Sequence, residues 1–96
     1  MEWKTYTADE CDRYICATGI LGEVVAQCMA LARDTDDEEI KSAISEFRRP
    51  YAIWRSSLKI ADKESVDRVY REVKPLIDNK ITIDYILEHT PCYAYA

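Results

Sequence analysis

An apolar stretch of nineteen residues decides the fold: residues 14–32 read YICATGILGEVVAQCMALA. Its polar interruptions are few, and only Glu23 carries a charge. A run of this length without proline predicts a long helix that is buried over most of its circumference. Such a helix has to be covered by other helices, supplied by the same chain or by a second copy.

A second long helix is predicted after a short connection rich in aspartate and glutamate. Its apolar side chains alternate steps of four and three, which places them on one side: Ile40, Ile44, Phe47, Tyr51, Trp54, Leu58 and Ala61. Pro50 lies inside this series, but the series stays in phase across it, so we expect one continuous, kinked helix. The two helices predict an antiparallel hairpin at about 8–33 and 36–60.

N-cap signals mark where the helices begin. The signals are Thr7 with Glu10, Thr35 with Glu38, Asp62 and Thr82. The first two pairs have the spacing of a capping box, and the last two suit the N-caps of shorter helices at about 63–77 and 83–89. The sequence therefore predicts an all-α domain of three to four helices over 1–96.

Composition supports this class and excludes others. The chain has 96 residues, of which 48% are hydrophobic and 32% charged, and its formal net charge is −5. Two glycines and three prolines are too few for the turns of a β-rich fold. The acidic charge disfavours a nucleic-acid partner, and Glu23 and Gln27 at the centre of the apolar stretch disfavour a membrane span. We expect a cytoplasmic protein.

Four cysteines are present, and we interpret them as free, buried thiols. Cys11, Cys16 and Cys28 fall in the first predicted helix, and Cys92 lies near the end of the chain. Their spacing fits neither a zinc site nor a disulfide framework. The chain also lacks a glycine-rich phosphate loop and a nucleophile elbow.

Two groups of polar side chains are candidates for interaction. One is a stripe on the first helix that contains Glu23 and Gln27; it is either the solvent-facing edge or part of an interface or pocket. The other is Arg48, Arg49 and Arg55 on the second helix, which form either a solvated face or a surface for an acidic partner or a phosphate.

Aromatic side chains near the two ends of the chain form a third group of candidates. Trp3, Tyr93 and Tyr95 are either interface anchors or side chains packed over the end of the bundle.

A resemblance to a known family covers residues 19–27, GILGEVVAQ, and 38–47, EEIKSAISEF. With the acidic turn between them, these segments resemble the helix hairpin of MazG-like all-α nucleotide pyrophosphohydrolases. The resemblance implies carboxylates on both helices that hold Mg²⁺ against a nucleoside triphosphate.

Most of the implied ligand positions are not matched. Val24 and Gln27 stand at the first carboxylate pair, and Ala43 and Glu46 stand at the second. Under this alternative the metal ligands would be Glu23, Glu39 and Glu46; otherwise no metal or cofactor is expected.

The sequence thus favours a non-catalytic protein that binds another protein. A small, acidic, glycine-poor chain without a catalytic set is typical of the regulators and inhibitors that phages and mobile elements encode. This comparison is an analogy and rests on no sequence motif. The alternatives are a MazG-like nucleotide-binding protein and a structural oligomeric subunit. Because the first helix needs cover, we also expect a homodimer.

Overall fold

The computed structural model describes residues 6–89, in which all regular structure is helical. The elements are α1 (Ala8–Arg33), α2 (Glu38–Ser57), α3 (Lys63–Arg68), a π turn (Val69–Val73), α4 (Lys74–Asp78) and α5 (Ile83–His89). The segments from α3 to α4 follow one another without a break, so the chain forms a hairpin of two long helices and two shorter helical segments. The all-α prediction is confirmed for this part of the chain.

Helix α1 begins with the capping box that the sequence predicts. The Thr7 hydroxyl accepts a hydrogen bond from the Glu10 amide at 3.1 Å, and the Glu10 carboxylate accepts one from the Thr7 amide at 3.0 Å. Both bonds satisfy amides that have no partner inside the helix.

Helix α2 begins later than predicted, and the capping box at Thr35 is wrong. Asp37 is the N-cap, and its carboxylate accepts hydrogen bonds from the amides of Glu39 and Ile40. Thr35 instead accepts a bond from the Asp37 amide at 3.2 Å. A carboxylate at the N-cap satisfies two amides and also meets the positive end of the helix dipole, which explains why the helix begins after Asp37.

Helix α2 is continuous across Pro50, as predicted, and it ends at Ser57 rather than at 60. The Ser56 and Ser57 hydroxyls donate hydrogen bonds to carbonyls one turn back, and Leu58 is extended. Serine side chains that bond carbonyls of the last turn compete with continuation of the helix.

The third predicted helix forms, but a π turn interrupts it. Asp62 caps it as expected, accepting from the Ser65 amide at 3.0 Å. At its end the Lys74 amide bonds the Val69 carbonyl five residues back, one residue before Pro75. In a regular α-helix the proline ring would press on the carbonyl four residues back, and the wider turn relieves that contact. Periodicity in the sequence gives no sign of such a turn.

The core lies between the hairpin and the shorter segments. Helices α1 and α2 pack along each other, the α3–α4 segments pack on α1, and α5 packs on α2. The largest fully buried side chains are Leu21, Val24, Cys28, Ile44, Val69, Val73 and Ile86. Their burial supplies most of the stabilisation, at about 1.5–3 kcal/mol for each large side chain.

Burial of α1 is one-sided, which corrects the expectation from the sequence. Only 28% of its most apolar eighteen-residue window is buried, and Ile15 and Met29 are 62% and 54% exposed. The other described helices contact α1 along one side, so residues 6–89 leave part of its apolar circumference uncovered.

Cysteine accessibility tests this packing. Burial raises the pKa of the Cys28 thiol to about 11, whereas Cys16 is exposed. We therefore expect iodoacetamide at about pH 8 to modify Cys16 first and Cys28 only after unfolding, because the thiolate is the nucleophile. Peptide mapping by mass spectrometry measures both sites, with a guanidinium-unfolded sample as the control. Equal rates at Cys16 and Cys28 in the folded chain would contradict the core described above.

Candidate functional site

The polar stripe of α1 divides into an exposed and a structural residue. Glu23 is exposed and accepts a hydrogen bond from Gln27 at 3.3 Å. Gln27 is half-buried and bridges the turn between α4 and α5: its amide donates to the Ile77 carbonyl at 3.3 Å and accepts from the Ile81 amide at 2.9 Å. Gln27 therefore holds the α4–α5 turn on α1, and its polar atoms are engaged within the chain.

The three arginines of α2 do not form one uniform group. Arg49 pairs with Glu46 at 3.1 Å, one turn away on the same helix. Arg48 lines a groove between α1 and α2, and its positive charge opposes the effect of burial on the pKa of Cys28. Arg55 lies over Gly22, where an added Cβ would be 3.3 Å from its Nε. Arg48 and Arg55 thus border the seam of the hairpin.

Apolar side chains accompany these arginines. Ile15, Gly22 and Met29 follow one another at steps of seven residues, so they lie within about 40° of one another around α1. Met29 lines the same groove between α1 and α2 as Arg48. We call this surface the open face; it comprises Ile15, Gly22, Met29, Arg48 and Arg55.

A second cluster joins α1 to α3, and the sequence analysis missed it. Arg13 pairs with Asp67 at 2.7 Å and lies over the Tyr70 ring, 4.2 Å from its centroid. Glu10 pairs with Lys63 at 3.2 Å across the same junction. The two ion pairs border a small cavity of about 160 Å³. Every charged group that we name here has its partner on the facing element, so we assign the cluster to the docking of α3.

Pairing of Trp54 was also missed. Its indole donates to the Ser65 hydroxyl at 2.7 Å, and Arg68 lies over its ring at 5.0 Å. Sequence periodicity places Trp54 on the inner side of α2, but the partners are distant in sequence and no local pattern indicates them.

The carboxylates of the metal alternative are not brought together. Glu46 is paired with Arg49, Glu23 with the amide of Gln27, and Glu39 lies in the first turn of α2. Within residues 6–89, no three histidine, cysteine, aspartate or glutamate side chains are grouped to hold a metal ion. Trp3, Tyr93 and Tyr95 lie outside the described residues.

Helix α1 alone among the described helices is long and apolar enough to cross a membrane. This criterion uses length and composition only, and core helices and signal sequences meet it as well.

Comparisons with protein-family models, curated proteins and solved structures found no match to this chain.

The role of Gln27 is testable by substitution. We expect Gln27→Ala to lower the free energy of unfolding by about 1–3 kcal/mol, because the amide of the buried Ile81 loses its acceptor. Glu23→Ala, one turn away on the exposed side, is the matched control and should change stability by less than about 0.5 kcal/mol. Urea denaturation followed by circular dichroism measures both. Equal effects of the two substitutions would show that the bridge to the α4–α5 turn contributes nothing.

Proposed function

We propose that this chain is a non-catalytic helical protein that acts in the cytoplasm by binding another protein through the open face. The observation that carries the proposal is the exposure of Ile15 and Met29, each more than half accessible, on the same side of α1. Single exposed apolar residues are ordinary on a folded protein, but an aligned set on a long apolar helix is typical of a binding surface.

Size and chemistry support a regulatory role. The open face is formed by the two longest helices, which the core holds rigidly, and a rigid surface binds without a large ordering cost. A small regulator or inhibitor, of the kind that phages and mobile elements encode, needs only such a surface. No membrane or nucleic acid is part of this proposal.

A test of the open face uses two added charges. Ile15→Asp/Met29→Asp should leave folding nearly unchanged, since both positions are exposed, but should remove binding because carboxylates replace apolar contacts. The matched control is Lys59→Gln/Lys80→Gln, which makes the same change in net charge at two exposed lysines outside the open face. Paired affinity capture from host lysate, quantified by mass spectrometry, compares wild type with both variants.

The expected result is a protein captured by wild type and by the control and lost with Ile15→Asp/Met29→Asp. Capture of the same proteins by all three baits would overturn the role of the open face.

A homodimer through the same face stays a prediction, and the structural-subunit alternative rests on it. The Arg55 side chain lies over Gly22. If two copies packed α1 against α1 about a two-fold axis near Gly22, their two Arg55 guanidinium groups would come close together and repel each other. We therefore favour a different protein as the partner. Light scattering at high micromolar concentration separates the two. A dimer mass that falls to the monomer mass in Ile15→Asp/Met29→Asp would favour self-association. Leu21→Asp does not serve here, because Leu21 is fully buried within one chain.

The enzymatic alternative is a MazG-like pyrophosphohydrolase with a degenerate magnesium site. A nucleotide complex would raise stability by linkage, by more than about 1 kcal/mol at saturation. We expect Mg²⁺ with a nucleoside triphosphate to leave the melting temperature unchanged and to yield no pyrophosphate. Glu46→Ala should then alter stability by no more than about 0.5 kcal/mol. A magnesium-dependent shift that disappears in Glu46→Ala would move the site to the hairpin carboxylates.

A further inference from the structure

We propose that the open face receives an acidic amphipathic helix, whose apolar side packs along α1 and whose two carboxylates, about two turns apart, pair with Arg48 and Arg55. The proposal rests on the proposed function and specifies the chemistry of the partner. It commits to one occupant, a helix from a different protein.

Charge pairing supports an acidic partner. Within residues 6–89, seven cationic side chains are in ion pairs: Arg13, Lys41, Arg49, Lys63, Arg68, Arg71 and Lys74. Among these residues Arg33, Arg48, Arg55, Lys59 and Lys80 are in none of these ion pairs, although the chain carries 18 acidic residues against 13 basic ones. Arg33 and Arg48 line the groove beside Met29, and Arg55 lies over Gly22. Arginines outside ion pairs and beside exposed apolar side chains offer charge complementarity to carboxylates, which guanidinium groups bind with two parallel hydrogen bonds.

Spacing specifies the shape of the partner. Arg48 and Arg55 are seven residues apart on α2, which corresponds to about 10.5 Å along the helix axis. Ile15, Gly22 and Met29 repeat at the same interval on the antiparallel α1. A partner helix that lies along the hairpin can therefore contact the arginines of α2 and the apolar residues of α1 at the same time. It needs carboxylates seven residues apart and an apolar stripe with the same repeat, as in helix-in-groove recognition.

Gly22 helps to position the partner. Because it has no side chain, the Arg55 side chain rests directly on the α1 backbone, with its Nε and Cζ at 3.3 and 3.6 Å from the position of a Cβ. The guanidinium is held low over the centre of the open face, where a carboxylate of a docked helix would be partly shielded from water. Partial shielding strengthens such a pair relative to one at an exposed rim.

Extended polyanions fit this surface less well. Asp36 lines the groove next to Arg48, and Asp34, Asp37, Glu38 and Glu39 lie in or beside the same hairpin turn. A nucleic-acid backbone or an anionic lipid surface would bring negative charge to all of these positions, whereas a helix presents carboxylates only at chosen ones.

Selection from a displayed library of helical peptides tests the proposal without a known partner. The baits are the wild-type chain, Arg48→Glu/Arg55→Glu, and the control Lys59→Glu/Lys80→Glu, which makes the same change in net charge at two exposed lysines outside the ion pairs given above. A fourth bait is Ile15→Asp/Met29→Asp. Circular dichroism of each bait confirms folding before selection.

We expect wild type and the lysine control to enrich peptides with aspartate or glutamate at seven-residue spacing beside an apolar stripe. Arg48→Glu/Arg55→Glu should enrich lysine or arginine at those positions. By fluorescence anisotropy, the best acidic peptide should bind Arg48→Glu/Arg55→Glu at least about tenfold more weakly than wild type, and the lysine control within about twofold.

Three outcomes would overturn the proposal. Enriched peptides whose charge does not follow the arginines would refute the acidic helix, although the open face would remain a binding surface if Ile15→Asp/Met29→Asp loses them. No enrichment by wild type over Ile15→Asp/Met29→Asp would refute both the partner and the proposed function. Arginine-dependent binding to duplex DNA or to phosphatidylserine vesicles, without selected acidic peptides, would assign the surface to a polyanion.

Discussion

Packing of α1 against α2 is the contact on which the rest of the structure depends. Leu21, Val24 and Cys28 of α1 are fully buried, and Ile44 of α2 is buried with them. The remaining helical segments are the interrupted stretch over 63–78 and the seven-residue α5, and isolated helices of such lengths are at best marginally stable in water. They gain their stability by packing on the hairpin, so the order of the whole domain follows from this one interface.

The way in which the chain packs on α1 also explains why the open face is exposed. Helix α1 has apolar residues around most of its circumference, but the partners that the chain provides contact it along one side. One residue of the polar stripe on α1 makes hydrogen bonds within the chain. Gln27 satisfies a carbonyl and an amide of the α4–α5 turn, so a residue that interrupts the apolar stretch becomes a structural hydrogen-bonding group. In the part of the chain that the structure describes, no such element covers Ile15 and Met29.

Local signals in the sequence account for most of the fold, and long-range contacts account for what was not predicted. Thr7, Asp62 and Thr82 cap helices as expected because capping depends on residues two or three positions apart. The π turn before Pro75, the bridge from Gln27 and the stacking of Arg13 on Tyr70 depend on residues that meet only after folding. For the candidate site, the sequence identified Arg48 and Arg55 but was not used to separate them from Arg49, although the spacing of three residues between Glu46 and Arg49 is a local signal for their ion pair.

The difference between Arg49, which is in an ion pair, and Arg48 and Arg55, which are not, matters most for the proposed function. An arginine paired on its own helix, as Arg49 is, stabilises the surface by a few tenths of a kcal/mol and offers little to a ligand, since binding would have to break the pair. Arg48 and Arg55 have no ion pair to break within residues 6–89, and their planar guanidinium groups are weakly hydrated and therefore lose little when they meet a carboxylate. Next to Ile15 and Met29 they combine apolar area, which supplies affinity, with fixed charges, which supply orientation and selectivity. The open face is therefore better suited to one shaped, charged partner than to a generic apolar one.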